Sequence, residues 1–311
     1  MSLITGMKQS LYAAISRIES LARGSRLKRF LAHPLNYPLA MGSKAWHRLS
    51  SGRTIVAKAR CAWGDVMQVN LPAGMDIFLT GGKSHDSEIR FSKFLLSCLK
   101  EGDCFFDIGS HLGFYSLLSR ACVGSSGTVV SVEAAPSSFA LLKKNTSAYT
   151  NILPFNRAAG KEEGFISFYE FPALYAEYNT SYPDQFELQP WFRKKGFNKI
   201  SLELVTIDGI ISQLGRTPKL IKIDTEGAEA DVVLGAFRSL DRNSIPFLAM
   251  EFLPPHRQNA NHKEAATLLR QHGYLAHTID GNGKLFFCPD PAAYMEAEQK
   301  DSDMIVFTPG R

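Results

Sequence analysis

Acidic side chains follow several apolar runs that are typical of buried strands, where they could hold a ligand or move a proton. Residues 107–113 (DIGSHLG) end the first such run. Gly109 permits a tight turn and a close ligand approach, and Gly113 permits close packing of a helix on a strand. The carboxylate of Asp107 could meet a cationic amino group there. A tight turn without any ligand is the alternative.

Glu133 ends the next apolar run, 26 residues after Asp107. A carboxylate at this point of a mononucleotide-binding half-fold can accept hydrogen bonds from both hydroxyls of a ribose. The glycine spacing of residues 107–113 differs from that of a dinucleotide-binding loop, and no phosphate-binding lysine is present. Asp107 and Glu133 together favour an adenosine that carries an amino acid. A solvated acid at a strand end is the alternative for Glu133.

Residues 222–229 (KIDTEGAE) follow a third apolar run and contain Asp224, Glu226 and Glu229. Open α/β sheets bind ligands at the carboxyl ends of their strands, so Asp224 and Glu226 are candidate catalytic groups. Acids at a helix N-terminus also complement the helix dipole, which is the alternative for Glu226 and Glu229.

Glu251 ends a fourth apolar run and His256 follows it, so both are further catalytic candidates. An ordinary surface histidine is the alternative for His256. Asp224 and Glu251 could also hold Mg²⁺, because carboxylate oxygens suit that ion. No tighter spacing of metal ligands is visible, so we expect no metal in the reaction.

Alternating elements are needed to bring these acids to one edge of a sheet. The predicted strands are 104–108, 128–133, 152–158, 219–224, 247–252, 274–279, 285–288 and 304–307, and the predicted helices are 87–99, 112–122, 137–149, 228–240 and 263–272. This order predicts an α/β fold with a Rossmann-like, doubly wound, mostly parallel sheet over residues 86–311. Residues 54–85 read as a short β segment with strands at 54–59, 66–71 and 75–80.

An aromatic insertion over residues 168–200 interrupts the alternation. It holds ten aromatic residues and three prolines, so it reads as a long loop of the kind that often has a function. Because aromatic faces pack on sugar rings, Tyr178, Tyr182 and Trp191 are candidate acceptor contacts. A small satellite core is the alternative for most of these rings.

Residues 1–53 form a basic, helical extension. Residues 1–60 contain eleven Lys/Arg and a single acid, Glu19, whereas the chain as a whole has a net charge of +5. Leu11, Ile15 and Ile18 define the apolar stripe of a helix over residues 7–23, and prolines after residue 33 predict irregular chain. We expect residues 7–31 to contact a membrane surface or a partner subunit; packing on the protein's own body is the alternative.

Composition excludes several classes of protein. Apolar residues make up 45% of the chain, but no run approaches the roughly 18 residues of a membrane span. No apolar signal-peptide region is visible at the N-terminus, so we expect a cytoplasmic protein. The five cysteines are odd in number and none has Cys-x-x-Cys spacing, which argues against a disulfide framework and a zinc site.

Residues 107–113, Glu133, residues 205–208 (VTID) and above all residues 222–229 resemble the FkbM family of S-adenosylmethionine-dependent methyltransferases. The similarity extends over about residues 75–310. It implies S-adenosylmethionine as cofactor and O-methylation of a hydroxyl on a sugar, glycan or natural product. Where the family commonly has alanine, asparagine and proline, this chain has Ser110, His111 and Ala134.

The resemblance also implies roles for individual residues. Asp107, Gly109 and Gly113 would hold the methionine half of the cofactor, Glu133 its ribose, and Arg157 with Ala158 its adenine. Glu88 falls where the family often has a glutamate near the cofactor, and His111 adds a titratable group beside it or faces solvent.

Methyl transfer to oxygen needs alignment and removal of the hydroxyl proton, for which Asp224 is the first candidate base, followed by Glu226, Glu251 and His256. Two other classes of function stay open. A non-catalytic binding module could retain the same fold. A nucleic-acid methyltransferase could grip RNA with the basic extension, although the acidic body and the absence of an Asn-Pro-Pro-Tyr motif argue against nucleic acid.

Overall fold

The computed structural model describes residues 2–50, 53–183, 192, 196–257 and 260–310. Helices and one antiparallel hairpin precede the central sheet. They are α1 (Ser2–Ala22), α2 (Arg26–Ala32), α3 (Asn36–Leu49), β1 (Ile55–Arg60), β2 (Val66–Leu71) and α4 (Met75–Thr80).

The central domain alternates strands and helices. Its first half is α5 (Asp86–Cys98), β3 (Cys104–Ile108), α6 (Phe114–Val123), β4 (Thr128–Val132), α7 (Pro136–Thr146), β5 (Ile152–Phe155), β6 (Ala158–Ala159), β7 (Gly164–Glu170), a 3-10 helix (Ala173–Tyr178) and β8 (Asn198–Val205). Its second half is α8 (Ile207–Leu214), β9 (Leu220–Ile223), α9 (Glu229–Leu234), α10 (Phe237–Asp241), β10 (Phe247–Phe252), a 3-10 turn (Pro255–Arg257), α11 (Ala260–Gln271), β11 (Tyr274–Ile279), β12 (Leu285–Phe287), α12 (Pro291–Ala297) and β13 (Asp303–Pro309).

Eight strands form one sheet in the order β12-β11-β13-β10-β9-β3-β4-β5. The five strands from β10 to β5 are parallel, and β11, β12 and β13 add antiparallel pairs at one side. The predicted doubly wound, mostly parallel sheet is therefore confirmed. The chain runs outward from β3 to β5 and returns to β9 on the other side of β3. This switch point is where open α/β sheets bind ligands.

Alternate side chains of the sheet enter two hydrophobic cores. Phe105 belongs to the core that contains α1, α5 and α6, whereas Phe106 and Ile108 belong to the core that contains α8, α9 and α11. All five cysteines are buried and free, as expected for small apolar side chains. None of the described helices is long and apolar enough to cross a bilayer.

The aromatic insertion is only partly a loop. Its start extends β7, which pairs with β8 along seven residues, and β8 also pairs with the short strand β6. Phe168 and Leu202 pack with Ala135 in a small separate core, so the satellite-core alternative holds for part of the segment.

The helix α1 packs on the body of the protein. Leu11, Ile15 and Ile18 are buried in the same core as α5 and α6. Of the two alternatives for this apolar stripe, packing on the protein's own body is therefore the one observed. The membrane or subunit contact expected for residues 7–31 as a whole stays a prediction.

Two local predictions before the core were wrong. Residues 36–49 are helical and not irregular. The helix tolerates Pro38 because this residue lies in the first turn of α3, where a backbone N–H needs no partner within the helix. Residues 75–80 form α4 and not a strand. An apolar run this short does not distinguish a helix from a strand by its periodicity, and the packing of Ile77 and Phe78 decides the conformation. Gly81 then ends the helix in a left-handed conformation.

The predicted helix over 228–240 is broken into α9 and α10. The break lies at Gly235, where an added Cβ would come within 2.2 Å of the Gly160 carbonyl oxygen. The close approach of these two backbones interrupts the helix.

Candidate active site

A cavity of about 490 Å³ opens at the carboxyl ends of β3, β4, β9 and β10. Its walls include the β3–α6 loop, the residues that follow β4 and β9, and the end of β10. Asp76 of α4, Lys83 and Glu88 in the first turn of α5 line another side. Most of the predicted site residues meet here. Those that line the cavity are Glu88, Gly109, His111, Glu133, Arg157, Ala158, Tyr178, Asp224, Glu226 and Glu251.

Gly109 brings two loops together at the base of the cavity. Its φ is +76°, and an added Cβ would lie 1.7 Å from the Asp224 carbonyl oxygen. No larger residue fits there without moving the backbone. Gly113 has a different role, since an added Cβ there would lie 2.7 Å from Leu142 Cδ1 on α7. It permits helix packing and is not among the residues that line the cavity.

Glu133 lines the cavity with a carboxylate that the protein holds in place. The backbone amides of His111 and Ala135 donate hydrogen bonds of 2.7 and 2.9 Å to its two oxygens. Burial raises the pKa of this carboxyl to about 7, although the two amides oppose the shift. Each oxygen keeps acceptor capacity, so Glu133 can accept hydrogen bonds from vicinal hydroxyls of a ligand.

Asp107 lies behind the cavity wall. Its side chain is 1% exposed, and Ser116 Oγ donates a 2.6 Å hydrogen bond to it. Its Oδ1 has no hydrogen-bond partner among the described residues, and Lys222 Nζ lies 3.8 Å from it. Burial raises the pKa of Asp107, and Lys222 counteracts that shift. Its predicted contact with an amino group stays a prediction.

Lys222 connects the two strand-end acids. Its side chain is 3% exposed, and its ammonium donates hydrogen bonds to Asp224 Oδ2 at 2.9 Å and to the Gly109 carbonyl at 3.2 Å. Burial alone would raise the pKa of Asp224, but the charge and hydrogen bond of Lys222 outweigh it and lower that pKa. Asp224 is therefore ionised at neutral pH.

Glu251 has the opposite protonation. Burial and the charge of Asp224 raise its pKa to about 8, so at pH 7 its carboxyl is mostly neutral.

Carboxylate oxygens of Asp224, Glu226 and Glu251 all lie within 4.8 Å of one another. Such oxygens are also suitable ligands for a divalent cation. The expectation of metal-free chemistry accordingly stays a prediction.

Glu229 does not line the cavity but holds the loop between β9 and α9 in place. It is 1% exposed, and it accepts hydrogen bonds from the backbone amides of Thr225 and Gly227. The dipole and capping alternative therefore describes Glu229. Glu226 differs, because it lines the cavity and has a left-handed backbone with φ of +52°.

The structure does not bring every candidate to the cavity. His256 is exposed on the 3-10 turn, and its neighbour Arg257 lines the cavity instead. Tyr182 is 38% exposed, does not line the cavity, and donates a hydrogen bond to Asp231 on α9. Trp191 lies outside the described residues.

Other lining residues were missed by sequence reasoning. Lys83 Nζ forms a 3.0 Å ion pair with Glu88, which is the main reason that the Lys83 pKa is raised. Burial raises the pKa of Asp76 to about 6. No local pattern marks Lys83 or Asp76, because only the packing of α4 turns them toward the cavity. Lys222 did carry a signal, since a lysine within a buried apolar strand needs a buried partner.

The sequence matches the methyltransferase FkbM domain over residues 107–276, which is more than half of the chain. The chain belongs to the FkbM methyltransferase family. It is accordingly an S-adenosylmethionine-dependent methyltransferase, and the cofactor expected from the sequence is confirmed. No curated protein matches the chain.

Solved structures of other methyltransferases resemble it at low identity. A precorrin-6y C5,15-methyltransferase from Geobacter metallireducens has 11% identity and a TM-score of 0.39, with 72% of this chain and 88% of that chain covered. A SAM-dependent O-methyltransferase from Thermotoga maritima has 12% identity and a TM-score of 0.39, with 82% of this chain and 78% of that chain covered. Aeropyrum pernix fibrillarin, which was solved with natively bound S-adenosyl-L-methionine, has 13% identity and a TM-score of 0.37, with 82% of this chain and 99% of that chain covered.

The cavity of this FkbM methyltransferase fits its cofactor. Its volume lies within the range of about 300–1,000 Å³ that is usual for small-molecule sites. Acidic side chains in its wall outnumber basic ones, which suits a ligand with a sulfonium and an ammonium group. Glu133 would hold the ribose hydroxyls, and the bare backbone at Gly109 would admit the methionine part.

Proposed function

We propose that this FkbM methyltransferase transfers a methyl group to a hydroxyl oxygen of a sugar, a glycan or a natural product. The observation that carries the proposal is that carboxyl oxygens of Asp224 and Glu251 lie within 4.8 Å of each other in the cavity wall. Lys222 lowers the pKa of Asp224, whereas burial raises the pKa of Glu251, so the first is ionised and the second protonated at pH 7. A hydroxyl group can donate to the first and accept from the second. Such a pair would orient a neutral oxygen nucleophile and receive its proton.

S-adenosylmethionine supplies the electrophilic methyl group when it is bound. The residues of the chain then align the acceptor and manage its proton. Asp224 accepts the hydroxyl proton as the acceptor oxygen attacks. Lys222 keeps Asp224 ionised beforehand, and Glu251 holds the acceptor oxygen with its own O–H. Glu226 contributes a further carboxylate at the same wall.

The acceptor side of the cavity combines rings with polar groups. Phe168 and Tyr178 line it together with Asn179 and Ser181. Aromatic faces pack on the C–H faces of sugar rings, and polar side chains bind hydroxyl groups. This composition supports a hydroxylated, partly apolar acceptor.

Incubation with labelled cofactor and panels of glycans and hydroxylated metabolites tests the proposal. We expect label on an acceptor oxygen with the native protein and at least about 100-fold less with Asp224→Asn. Asp241→Asn is the matched control, because that carboxylate is 67% exposed on α10. Label on nitrogen would overturn the O-directed proposal. Tight cofactor binding without transfer to any acceptor would favour a binding module.

A further inference from the structure

The helices α2 and α3 present an unusual outer face, here called the α2–α3 surface (residues 26–49). It holds eight of the sixteen exposed large apolar side chains among the described residues. They are Leu27, Phe30, Leu31, Leu35, Leu39, Met41, Trp46 and Leu49. Exposed apolar side chains scattered singly need no explanation, but eight within residues 27–49 indicate an interaction site.

The orientation of α3 explains part of this cluster. Leu35, Leu39, Trp46 and Leu49 recur at i, i+4, i+11 and i+14, which places them on one side of the helix. The buried residues of α3 include Ala40, on the opposite side. The helix therefore packs on the protein with small and polar residues and turns its apolar stripe outward, the reverse of an ordinary surface helix.

The charge of this region has a single sign. Residues 20–64 contain nine Lys/Arg and no acid. Arg26, Lys28, Lys44 and Arg48 are exposed on α2 and α3. In the part of the chain that the structure describes, Arg23 is the only one of the nine that forms an ion pair with a carboxylate. The other cations are available to an anionic partner.

We propose that the α2–α3 surface docks on a lipid membrane with anionic headgroups. Apolar side chains of an interfacial helix enter the headgroup boundary while flanking cations meet the lipid charges. Trp46 suits this boundary, where tryptophan is enriched. A second copy of the chain would bring like charges together, and a nucleic acid would leave the leucines in water.

The docking face lies close to the active site. Asn36 Nδ2 on α3 donates a 3.3 Å hydrogen bond to the Phe78 carbonyl of α4. Asp76 and Ile77 of that same helix line the cavity. A docked protein would hold its cavity one helix away from the lipid surface. The proposal does not depend on the identity of the acceptor, since it rests on residues outside the cavity.

Co-sedimentation of the full chain with phosphatidylcholine vesicles, with and without phosphatidylglycerol, tests the docking. We expect binding at low salt to the anionic vesicles and its loss as salt increases. Leu35→Gln/Leu49→Gln should weaken that binding by about tenfold or more. Phe165→Gln/Phe286→Gln is the matched control, because it removes two exposed rings elsewhere and should bind as the native protein does.

A second pair of variants tests the charges. Lys44→Gln/Arg48→Gln should weaken binding to anionic vesicles by roughly fivefold for each cation removed. Lys143→Gln/Lys144→Gln removes two exposed cations of α7 and should leave the binding unchanged. Circular dichroism checks that each variant is folded.

Several outcomes would overturn the proposal. One is no sedimentation with anionic vesicles at low salt; another is equal binding by the native chain and Leu35→Gln/Leu49→Gln. A dimer in sedimentation velocity that this double variant dissociates would assign the face to a second copy. A salt-sensitive shift of an RNA oligonucleotide, lost in Lys44→Gln/Arg48→Gln without any vesicle binding, would assign it to nucleic acid.

Discussion

Lys222 Nζ donates a 2.9 Å hydrogen bond to Asp224 Oδ2, although the two residues are only two positions apart at the end of β9. The lysine side chain is 3% exposed, and its ammonium lies at the carboxyl end of the strand. This buried contact keeps Asp224 ionised beside Glu251, whose carboxyl retains its proton at neutral pH. Burial and this ionised neighbour together keep Glu251 protonated.

Replacing Asp224 with asparagine should lower kcat by about 100-fold to 10,000-fold, because the proton acceptor is lost while the side-chain shape is kept. Cofactor affinity should change little, since Glu133 is untouched. Single-turnover kinetics and calorimetry with S-adenosylmethionine separate the two effects. An unchanged kcat would exclude Asp224 as the base.

Glu251 should impose an alkaline limit on activity. Its pKa is raised to about 8, so above that pH its carboxyl loses the proton that would hold the acceptor oxygen. We expect kcat/KM to fall as pH rises through about 8 in the native enzyme. Glu251→Gln should remove this dependence. A rise of kcat/KM through the same pH would instead make Glu251 the base.

Glu133 should make cofactor binding depend on pH. Because its pKa is raised to about 7, the carboxylate that accepts ribose hydroxyls is lost as pH falls below that value. The Kd for S-adenosylmethionine should increase in the acidic range. At pH 8, Glu133→Gln should weaken binding by about 10-fold to 100-fold, as expected for hydrogen bonds to a charged group. Equal affinity of the native protein and this variant across the pH range would contradict the assignment.

Gly109→Ala should destabilise the fold well beyond the cost of its backbone conformation. Gly102 is the matched control, because it also has positive φ but its Cβ would meet only Ser126 Oγ at 3.9 Å. We expect Gly102→Ala to cost about 1–2 kcal/mol, and Gly109→Ala to cost a further 1–3 kcal/mol, roughly, for overpacking against Asp224. Urea unfolding measures both. Similar midpoints for the two variants would argue against the close approach of the two loops.

Arg90 should be essential to the fold although it lies outside the matched family domain. It donates 2.9 Å hydrogen bonds to both oxygens of Asp303, which is 1% exposed, and thereby ties α5 to β13. Arg90→Ala removes the closest cation from that buried carboxylate, leaves only Lys300 at 3.9 Å as a charged partner, and should cost about 3–5 kcal/mol. Arg238→Ala breaks an ion pair whose arginine is 74% exposed and should cost under about 1 kcal/mol. Denaturant midpoints that shift equally would contradict this difference.

Much of the central sheet could be predicted from the sequence. Apolar runs such as residues 104–108 end in an acid or a glycine, and that local pattern marks both the strand and the edge where it stops. Gly109 and Glu133 could be placed in one cavity on this basis, because carboxyl ends of parallel strands lie side by side. The burial of Asp107 behind the cavity wall and the hydrogen bond from Lys222 to Asp224 could not be predicted, since both depend on which side chains the strands bury together.

The sequence by itself determined the alternation of strands and helices, the family and the positions of the strand-end acids, because these depend on local pattern. Only the tertiary structure decided that Lys83 and Asp76 face the cavity, that His256 does not, and that α1 is buried while α3 turns leucines outward. Each of these outcomes depends on contacts between residues far apart in the chain, whose free energies no local pattern contains.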